Sequence, residues 1–244
     1  PFTAPEPVWP KVTVVIPAFN EGRMVARSIR SVAACGYPKD KLEVIVVDLL
    51  GFGRSRRPSG IDELHAAGQA RALDALLDEL DVGPATVVGH DFGGPVALSL
   101  AARRPSAVAA LGLLATNAFP HTPIPFPLAP VTWPVLGRFA ARMLFSAPSL
   151  ALMLRQGVGA PRVTLDRDDH LGDRAQRRAI AAIFRASLTH LDELYRPIES
   201  TLRSIDVPVL VGWGDRDPFF AVETGERTAS AAGTDLRRYP GAGH

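Results

Sequence analysis

The sequence contains a single cysteine, Cys35, among its 244 residues. A disulfide framework and a cysteine-ligated zinc site are both excluded, because each needs at least two cysteines. The six histidines are scattered along the chain, so they do not suggest a metal site either. We therefore expect neither a metal nor another cofactor.

The chain also lacks an excess of charge of one sign. Its 27 basic residues are balanced by 25 acidic ones, which leaves a formal net charge of +2. A nucleic-acid-binding protein would present a concentrated basic face, so we expect no nucleic-acid partner. Hydrophobic residues make up 47% of the chain and charged residues 21%, which is typical of a globular protein that buries a core without covalent links.

Long apolar runs are missing as well. The longest uncharged stretch, residues 105–137, contains seven prolines. It has no uninterrupted apolar run of about 20 residues, the length that a membrane-spanning helix needs. The first residues show neither the charged leader nor the apolar segment of a secretory signal. These features predict a cytoplasmic protein with no membrane partner.

Apolar, β-branched runs alternate along the chain with segments of helical spacing. This alternation predicts an α/β fold with a mostly parallel sheet flanked by helices. The expected strands are residues 12–16, 43–48, 85–89, 108–114, 207–213 and 236–239. The expected helices are residues 21–34, 62–80, 93–104 and 221–232.

One insertion interrupts the alternation between the fourth and fifth strands. Residues 118–196 open with a proline-rich stretch and continue with helical segments around 135–154 and 174–194. This is too long for a simple crossover, so we interpret it as a helical cap over the carboxyl edge of the sheet. The expected core domain then comprises residues 1–117 and 197–244.

The strongest chemical signal is the sequence Gly-His-Asp-Phe-Gly-Gly at 89–94, which follows an apolar strand and precedes a helix. A residue flanked by glycines in this context is typical of a nucleophile elbow, which holds one side chain above the sheet at a helix N-terminus. Here that side chain is the carboxylate of Asp91. The alternative is a glycine-rich turn with an aspartate that caps the helix.

Two further motifs follow later strands. Asp217 lies in Gly-Asp-Arg-Asp at 214–217, and His244 ends Gly-Ala-Gly-His at 241–244. Asp91, Asp217 and His244 thus occur in the chain order nucleophile, acid, histidine that the α/β-hydrolase architecture uses. Taken alone, Asp217 could instead be a loop N-cap and His244 a frayed terminal residue.

From residue 48 onward the chain resembles the α/β-hydrolases of the haloalkane dehalogenase and epoxide hydrolase group. The resemblance is carried by Asp-Leu-Leu-Gly-Phe-Gly-Arg-Ser at 48–55, the elbow, the insertion, Trp-Gly-Asp-Arg-Asp-Pro at 213–218 and Pro-Gly-Ala-Gly-His at 240–244. An aspartate nucleophile needs no base at neutral pH, and it can displace a leaving group from a saturated carbon to give an alkyl-enzyme ester. We therefore expect a small apolar organic substrate, and water that His244 activates and Asp217 helps to orient.

The first 48 residues resemble a different family, the start of a family-2 glycosyltransferase. The resemblance rests on Val-Thr-Val-Val-Ile-Pro-Ala-Phe-Asn-Glu at 12–21, Gly-Tyr-Pro at 36–38 and Glu-Val-Ile-Val-Val-Asp at 43–48, and it stops at Asp48. We therefore interpret the chain as a hybrid joined near residues 46–48, in which the first segment completes the hydrolase sheet. A nucleotide-sugar transferase fragment and a catalytically silent hydrolase-like fold stay open as alternatives.

The hydrolase resemblance also implies an oxyanion hole and a substrate pocket. The usual His-Gly-x-Pro loop is replaced by Pro-Ala-Phe-Asn at 17–20, so the expected donors are the backbone N–H groups of Phe19 and Phe92. Trp133 could bind a halide through its indole, and Tyr195 could protonate an opening epoxide. Core packing is the alternative for both, and the run at 48–55 favours the dehalogenase. The sequence leaves the oligomeric state open.

Overall fold

The structure, a computed structural model, describes residues 9, 12–18, 29–30, 32–52, 55–58, 60–124, 126, 128–157 and 174–244. Six strands form one sheet, and every neighbouring pair among them is parallel. They are β1 (Val12–Ala18), β2 (Leu42–Asp48), β3 (Ala85–His90), β4 (Val108–Leu114), β5 (Val209–Gly214) and β6 (Leu236–Tyr239). The predicted α/β fold is confirmed, and its strands begin and end within two residues of the predicted positions.

The spatial order of the strands is β2-β1-β3-β4-β5-β6. β1 and β2 pair along their whole length, from Val12 with Leu42 to Ala18 with Asp48. β1 also pairs with β3 at Val15 and Val87, so β1 lies between β2 and the strand that leads to Asp91. The predicted helix 21–34 falls mostly outside the described residues.

Eight helices accompany the sheet from residue 61 onward in the described part of the chain, and residues 29–30 and 32–33 are helical as well. The eight are α1 (Ile61–Leu64), α2 (Ala66–Glu79), α3 (Gly93–Arg103), α4 (Gly137–Leu144), α5 (Ala147–Gly157), α6 (Arg174–Thr189), α7 (Leu191–Ser204) and α8 (Val222–Ala231). Short 3₁₀ turns cover Lys39–Lys41, Pro105–Ala107 and Ala129–Thr132. None of the described helices has the length and apolar character that crossing a membrane requires.

Two predicted helices are each broken into a pair. Residues 62–80 split at His65, whose extended backbone (ψ 172°) lets Gly68 approach the carbonyl of Asp62 so closely that a β-carbon would lie 2.4 Å from that oxygen. Residues 135–154 split at Ser146. Pro148 follows in the first turn of α5, where a proline is tolerated because that N–H has no helical partner.

A helix that the sequence reasoning missed is α7. The predicted helix 174–194 ends instead at Thr189, and α7 continues to Ser204 with Pro197 inside it. Tyr195, Ile198 and Leu202 repeat at helical spacing and are buried, and this packing holds the helix together although Pro197 cannot donate a hydrogen bond. The predicted boundary between cap and core, at 196/197, lies within α7, and the division into core and cap stays a prediction.

The core packs around the central strands. α2 lies against α3, α3 lies against β3 and β4, and α8 lies against β5. Trp213 of β5 is 1% exposed, and its ring rests on Gly225 of α8, where a β-carbon would come within 2.8 Å of it. The strands that carry the site described below therefore belong to the buried core.

Candidate active site

Asp91 lies in the tight turn between β3 and α3. Its backbone has φ +48°, a left-handed conformation that side-chain-bearing residues rarely adopt. The turn closes because Gly89 and Gly94 lack side chains. A β-carbon on Gly89 would lie 2.4 Å from the carbonyl oxygen of Gly93, and one on Gly94 would lie 2.1 Å from Oγ1 of Thr116. The predicted elbow geometry is therefore present.

The backbone of Asp91 is tied to the end of the neighbouring strand. Its N–H donates to the carbonyl of Leu114 at 3.2 Å, and its own carbonyl accepts from Oγ1 of Thr116 at 2.6 Å. These bonds fix the main chain while the side chain stays 43% exposed. A strained residue held in this way presents its carboxylate to whatever occupies the space above the sheet.

Asp217 follows β5 and is held by its own loop. Its Oδ1 accepts from the N–H groups of Phe219 at 2.8 Å and Phe220 at 3.0 Å. The carbonyl of Phe220 in turn accepts from Nε1 of Trp213 at 3.0 Å. The side chain of Asp217 has no exposed area, so these donors replace the water that a buried carboxylate would otherwise need.

His244 bridges the two carboxylates. Its Nδ1 lies 2.9 Å from Oδ2 of Asp217, and its Nε2 lies 3.8 Å from Oδ2 of Asp91. The structure thus brings together the three predicted catalytic residues, with the histidine in the middle. Its ring packs against three aromatic rings, those of His90 at 4.5 Å, Phe219 at 5.1 Å and Phe220 at 5.7 Å between centroids.

The loop that carries His244 is anchored to the loop that carries Asp217. The N–H of Arg216 donates to the carbonyl of Ala242 at 3.0 Å, and the N–H of Gly241 donates to Oδ1 of Asp215 at 2.7 Å. Gly214 permits the contact, because a β-carbon there would lie 2.1 Å from the carbonyl oxygen of Gly243. The two loops therefore hold the Asp217–His244 pair jointly.

Burial and the neighbouring charges shift the pKa values of His244, Asp217 and His90. Burial alone would lower the pKa of His244, but hydrogen bonds to Asp217 and Asp91 and the charges of both carboxylates outweigh it and raise the pKa to about 9. Burial alone would raise the pKa of Asp217, but the hydrogen bonds from His244, Phe220 and Phe219 hold it below its ordinary value. Burial, with the charge of His244, lowers the pKa of His90. Near neutral pH the raised pKa of His244 favours its charged form between the two carboxylates, and the lowered pKa of His90 favours its neutral form.

The raised pKa of His244 predicts a pH-dependent stability. The folded state holds this proton more tightly than the unfolded chain, so the stabilisation is complete below pH 6.5 and is lost as the pH rises through about 9. We expect the free energy of unfolding of the wild type to fall over this interval by more than that of His244→Gln. Urea unfolding at about pH 6 and about pH 10 measures this difference.

His121→Gln is the matched control, because the side chain of His121 is 72% exposed. It should retain the pH dependence of the wild type. If His244→Gln retained it too, His244 would not be the group that titrates.

Two of the other predicted site residues, Phe92 and Tyr195, line the same cavity. Phe92 follows Asp91 at the start of α3, and its N–H has no hydrogen-bond acceptor among the described residues. Its side chain lines a cavity of about 210 Å³ together with Tyr195, Leu194, His65, Ser99 and Ser187, among others. Tyr195 is 8% exposed, and burial, with the nearby charge of Asp91, raises its pKa above the ordinary value.

The remaining two predictions find no such support. Phe19 lies outside the described residues. Trp133 is 50% exposed, and within the described part of the chain no hydrogen bond or ring contact links it to Asp91 or His244. Its predicted role as a halide ligand stays a prediction.

Four residues of the site were missed by the sequence reasoning. They are His90, Thr116, Phe219 and Phe220. Phe219 and Phe220 could have been found, because an aspartate commonly accepts from the N–H groups two and three residues later in a turn. His90 and Thr116 carried no such signal, since their contacts depend on how the strands and loops meet in the folded chain.

Comparison with known proteins shows which family the chain matches. The profile of the alpha/beta hydrolase fold matches residues 15–147, more than half of the chain. It therefore includes most of the segment that resembles a glycosyltransferase. That second resemblance, and the hybrid origin, stay predictions.

Individual relatives match either a short part of the chain or most of it at low identity. Over 76 residues the chain is 50% identical to the lipase LipV of Mycobacterium tuberculosis, which covers 30% of this chain and 27% of the lipase. Over 209 residues it is 28% identical to haloalkane dehalogenase 2 of the same organism, which covers 76% of this chain and 66% of that protein. The chain thus spans between about a quarter and two thirds of the length of these curated relatives.

Solved structures show the same architecture. A protein of alpha/beta hydrolase fold from Burkholderia ambifaria matches with a TM-score of 0.65 at 26% identity, over 97% of this chain and 85% of that one. The haloalkane dehalogenase DbeA from Bradyrhizobium elkani matches with a TM-score of 0.71 at 20% identity, over 97% of this chain and 84% of that one. On the family profile, the sheet order and the elbow together, the chain belongs to the alpha/beta hydrolase fold family.

Proposed function

We propose that the protein is a hydrolase that attacks its substrate with the carboxylate of Asp91 and is similar in activity to a haloalkane dehalogenase. The observation that carries this proposal is the position of that carboxylate on the elbow, with Nε2 of His244 3.8 Å away. The similarity to haloalkane dehalogenase 2 supports it.

The first step is a displacement at saturated carbon. An Oδ atom of Asp91 forms a bond to the carbon that bears the halogen, and the carbon–halogen bond breaks so that the halide leaves with the electron pair. The product is an alkyl ester of Asp91. The elbow fixes the backbone of Asp91 and leaves 43% of its side chain exposed. A substrate can therefore approach so that the attacking oxygen, the carbon and the leaving halogen lie on one line.

The second step is hydrolysis of that ester. Alkylation removes the negative charge of Asp91, which is one of the interactions that raise the pKa of His244. His244 then releases its proton more readily and can accept one from water, which attacks the ester carbonyl carbon. The developing oxyanion needs donors, and the N–H of Phe92, which has no acceptor among the described residues, is one candidate. Collapse of the intermediate breaks the bond between the carbonyl carbon and the alkoxide oxygen, and the alkoxide takes the proton of the new carboxyl group, so that the alcohol leaves and Asp91 is again a carboxylate.

The charge on Asp217 has a defined part in this cycle. It holds the Nδ1–H of His244, so Nε2 is the nitrogen that faces Asp91 and takes the proton. It also stabilises the imidazolium that forms when water is deprotonated. A serine-type mechanism is disfavoured, because the elbow position carries no hydroxyl.

An epoxide hydrolase is the second candidate, and the position of Tyr195 favours it. This side chain is buried, lines the cavity with Phe92 and lies within the electrostatic influence of Asp91. A phenol there could donate a proton to the oxygen of an epoxide as Asp91 opens the ring. The two candidates share the ester and differ in the leaving group, which is a halide ion in one case and a tethered alkoxide in the other.

The decisive experiment is a single turnover in ¹⁸O-labelled water. Short bromoalkanes, chloroalkanes and epoxides are mixed with excess enzyme, and the peptide that contains Asp91 is analysed by mass spectrometry. Attack of water on the ester carbonyl places the label in Asp91, whereas direct attack of water on the substrate places it in the product. Label only in the product, or no turnover of any of these substrates, would overturn the proposal.

Tyr195→Phe separates the two substrate classes. We expect it to slow epoxide opening and to leave halide release unchanged if the phenol is an acid. Equal slowing of both reactions would indicate a packing role for Tyr195.

A further inference from the structure

Exposed large hydrophobic side chains are concentrated in one part of the molecule. Twelve such side chains occur among the described residues, and seven of them lie between Phe126 and Leu152. Five fall within the eleven residues that lead into and form α4, and each is at least half exposed: Trp133, Val135, Leu136, Phe139 and Met143. We call these five the α4 patch. Single exposed apolar residues are ordinary, but a cluster of this kind marks an interaction site.

The orientation of α4 explains how the patch arises. Gly137 and Ala141 are the buried positions of this helix, and Gly137 is so close to the chain before it that a β-carbon would lie 2.4 Å from the carbonyl oxygen of Val131. Small residues therefore face the protein. Leu136, Phe139 and Met143 follow at helical spacing on the exposed side, the reverse of the usual arrangement for a surface helix.

Positive charge accompanies the patch. Arg138 and Arg142 lie one turn apart on α4 and are exposed, and neither pairs with an acidic group within the described residues. The sequence has no aspartate or glutamate anywhere from residue 92 to residue 165. Among the described residues, the surface around α4 thus combines apolar side chains with arginines that have no acidic partner.

We propose that the α4 patch binds the surface of a membrane that contains anionic lipids. Apolar side chains of an amphipathic helix enter the boundary between headgroups and acyl chains, and the arginines pair with lipid phosphates at the same depth. Trp133 suits this position, because an indole has an apolar body and one polar N–H. The lack of a long apolar run argued against spanning helices and on that ground predicted no membrane partner; the proposed surface binding departs from that prediction, because it needs no spanning helix.

A second copy of the chain is a poorer partner for the same patch. In a two-fold symmetric dimer the patch would meet itself, which brings Arg138 and Arg142 of one copy towards those of the other. No acidic residue from 92 to 165 could neutralise them. An anionic lipid surface supplies negative charge, which residues 92–165 of a second copy do not.

Sedimentation with vesicles tests the proposal on the full chain. One set contains phosphatidylcholine alone and another contains phosphatidylcholine and phosphatidylglycerol in roughly equal amounts. We expect binding to the anionic vesicles, weaker binding to the neutral ones, and a loss of binding as salt is added. Leu136→Ser/Phe139→Ser and Arg138→Gln/Arg142→Gln should each reduce binding by on the order of tenfold or more.

Matched controls change the same residue types elsewhere. Leu80→Ser removes a leucine that is 47% exposed at the end of α2, and Arg178→Gln removes an exposed arginine of α6. Both should bind like the wild type. Absence of binding to either vesicle would overturn the proposal, and so would equal binding by patch and control variants. Self-association that depends on Leu136 and Phe139, without vesicle binding, would make the patch a dimer interface instead.

Discussion

The Asp91→Asn variant is expected to form no ester and to lose activity by on the order of 10⁴-fold or more. An amide is a poor nucleophile at saturated carbon. Rapid-quench mass spectrometry measures the adduct, and halide or diol release measures turnover. The fold should be retained, because the side chain of Asp91 is 43% exposed and its backbone makes the bonds to Leu114 and Thr116.

Asp40→Asn is the control, since Asp40 is exposed and lies in the turn at 39–41, well before the elbow in the sequence. It should form the adduct at the wild-type rate. Deamidation of the introduced amide would restore an aspartate, so the mass of the purified variant must be verified first. Wild-type turnover by an intact Asp91→Asn protein would show that the carboxylate is not the nucleophile.

The His244→Phe variant is expected to separate the two chemical steps. Alkylation needs only the carboxylate of Asp91, whereas hydrolysis needs a base, so the ester should accumulate in stoichiometric amount. The hydrolysis rate should fall by about 10²–10⁴-fold, the range for loss of a general base. A phenyl ring suits the position, because the imidazole already packs against His90, Phe219 and Phe220.

His121→Phe places the same substitution at an exposed histidine and should leave both steps unchanged. Pre-steady-state kinetics with a bromoalkane resolves a burst of halide release in His244→Phe that is followed by little further turnover. Activity lost without a burst or an adduct would mean that His244 supports the pocket rather than the second step.

The geometry of the candidate site was predictable because its signals are local. The glycines around Asp91 have to be glycines for steric reasons, so the elbow can be recognised from six consecutive residues. Asp217 and His244 each follow a strand, and the carboxyl ends of neighbouring parallel strands lie at one edge of the sheet. The sheet could be predicted for the same reason, since buried parallel strands are continuous apolar runs.

Features that depend on tertiary packing could not be predicted. α7 contains Pro197, which argues against a helix locally, yet burial of Tyr195, Ile198 and Leu202 outweighs that penalty. Trp133 was expected in a pocket and is half exposed, and in α4, which follows it, the small residues rather than the large ones face the protein. No periodicity in the sequence distinguishes an apolar face that is buried from one that is left exposed.

Trp213 has a practical consequence for experiments on this molecule. The sequence has three tryptophans, and Trp9 and Trp133 are 44% and 50% exposed, whereas Trp213 is 1% exposed. A dissolved quencher such as iodide reaches the first two and leaves the third emitting. Because the indole N–H of Trp213 is bonded to the carbonyl of Phe220, its residual emission reports on the turn that holds Asp217. The fluorescence of the unlabelled protein can therefore follow the turn that holds Asp217 during turnover.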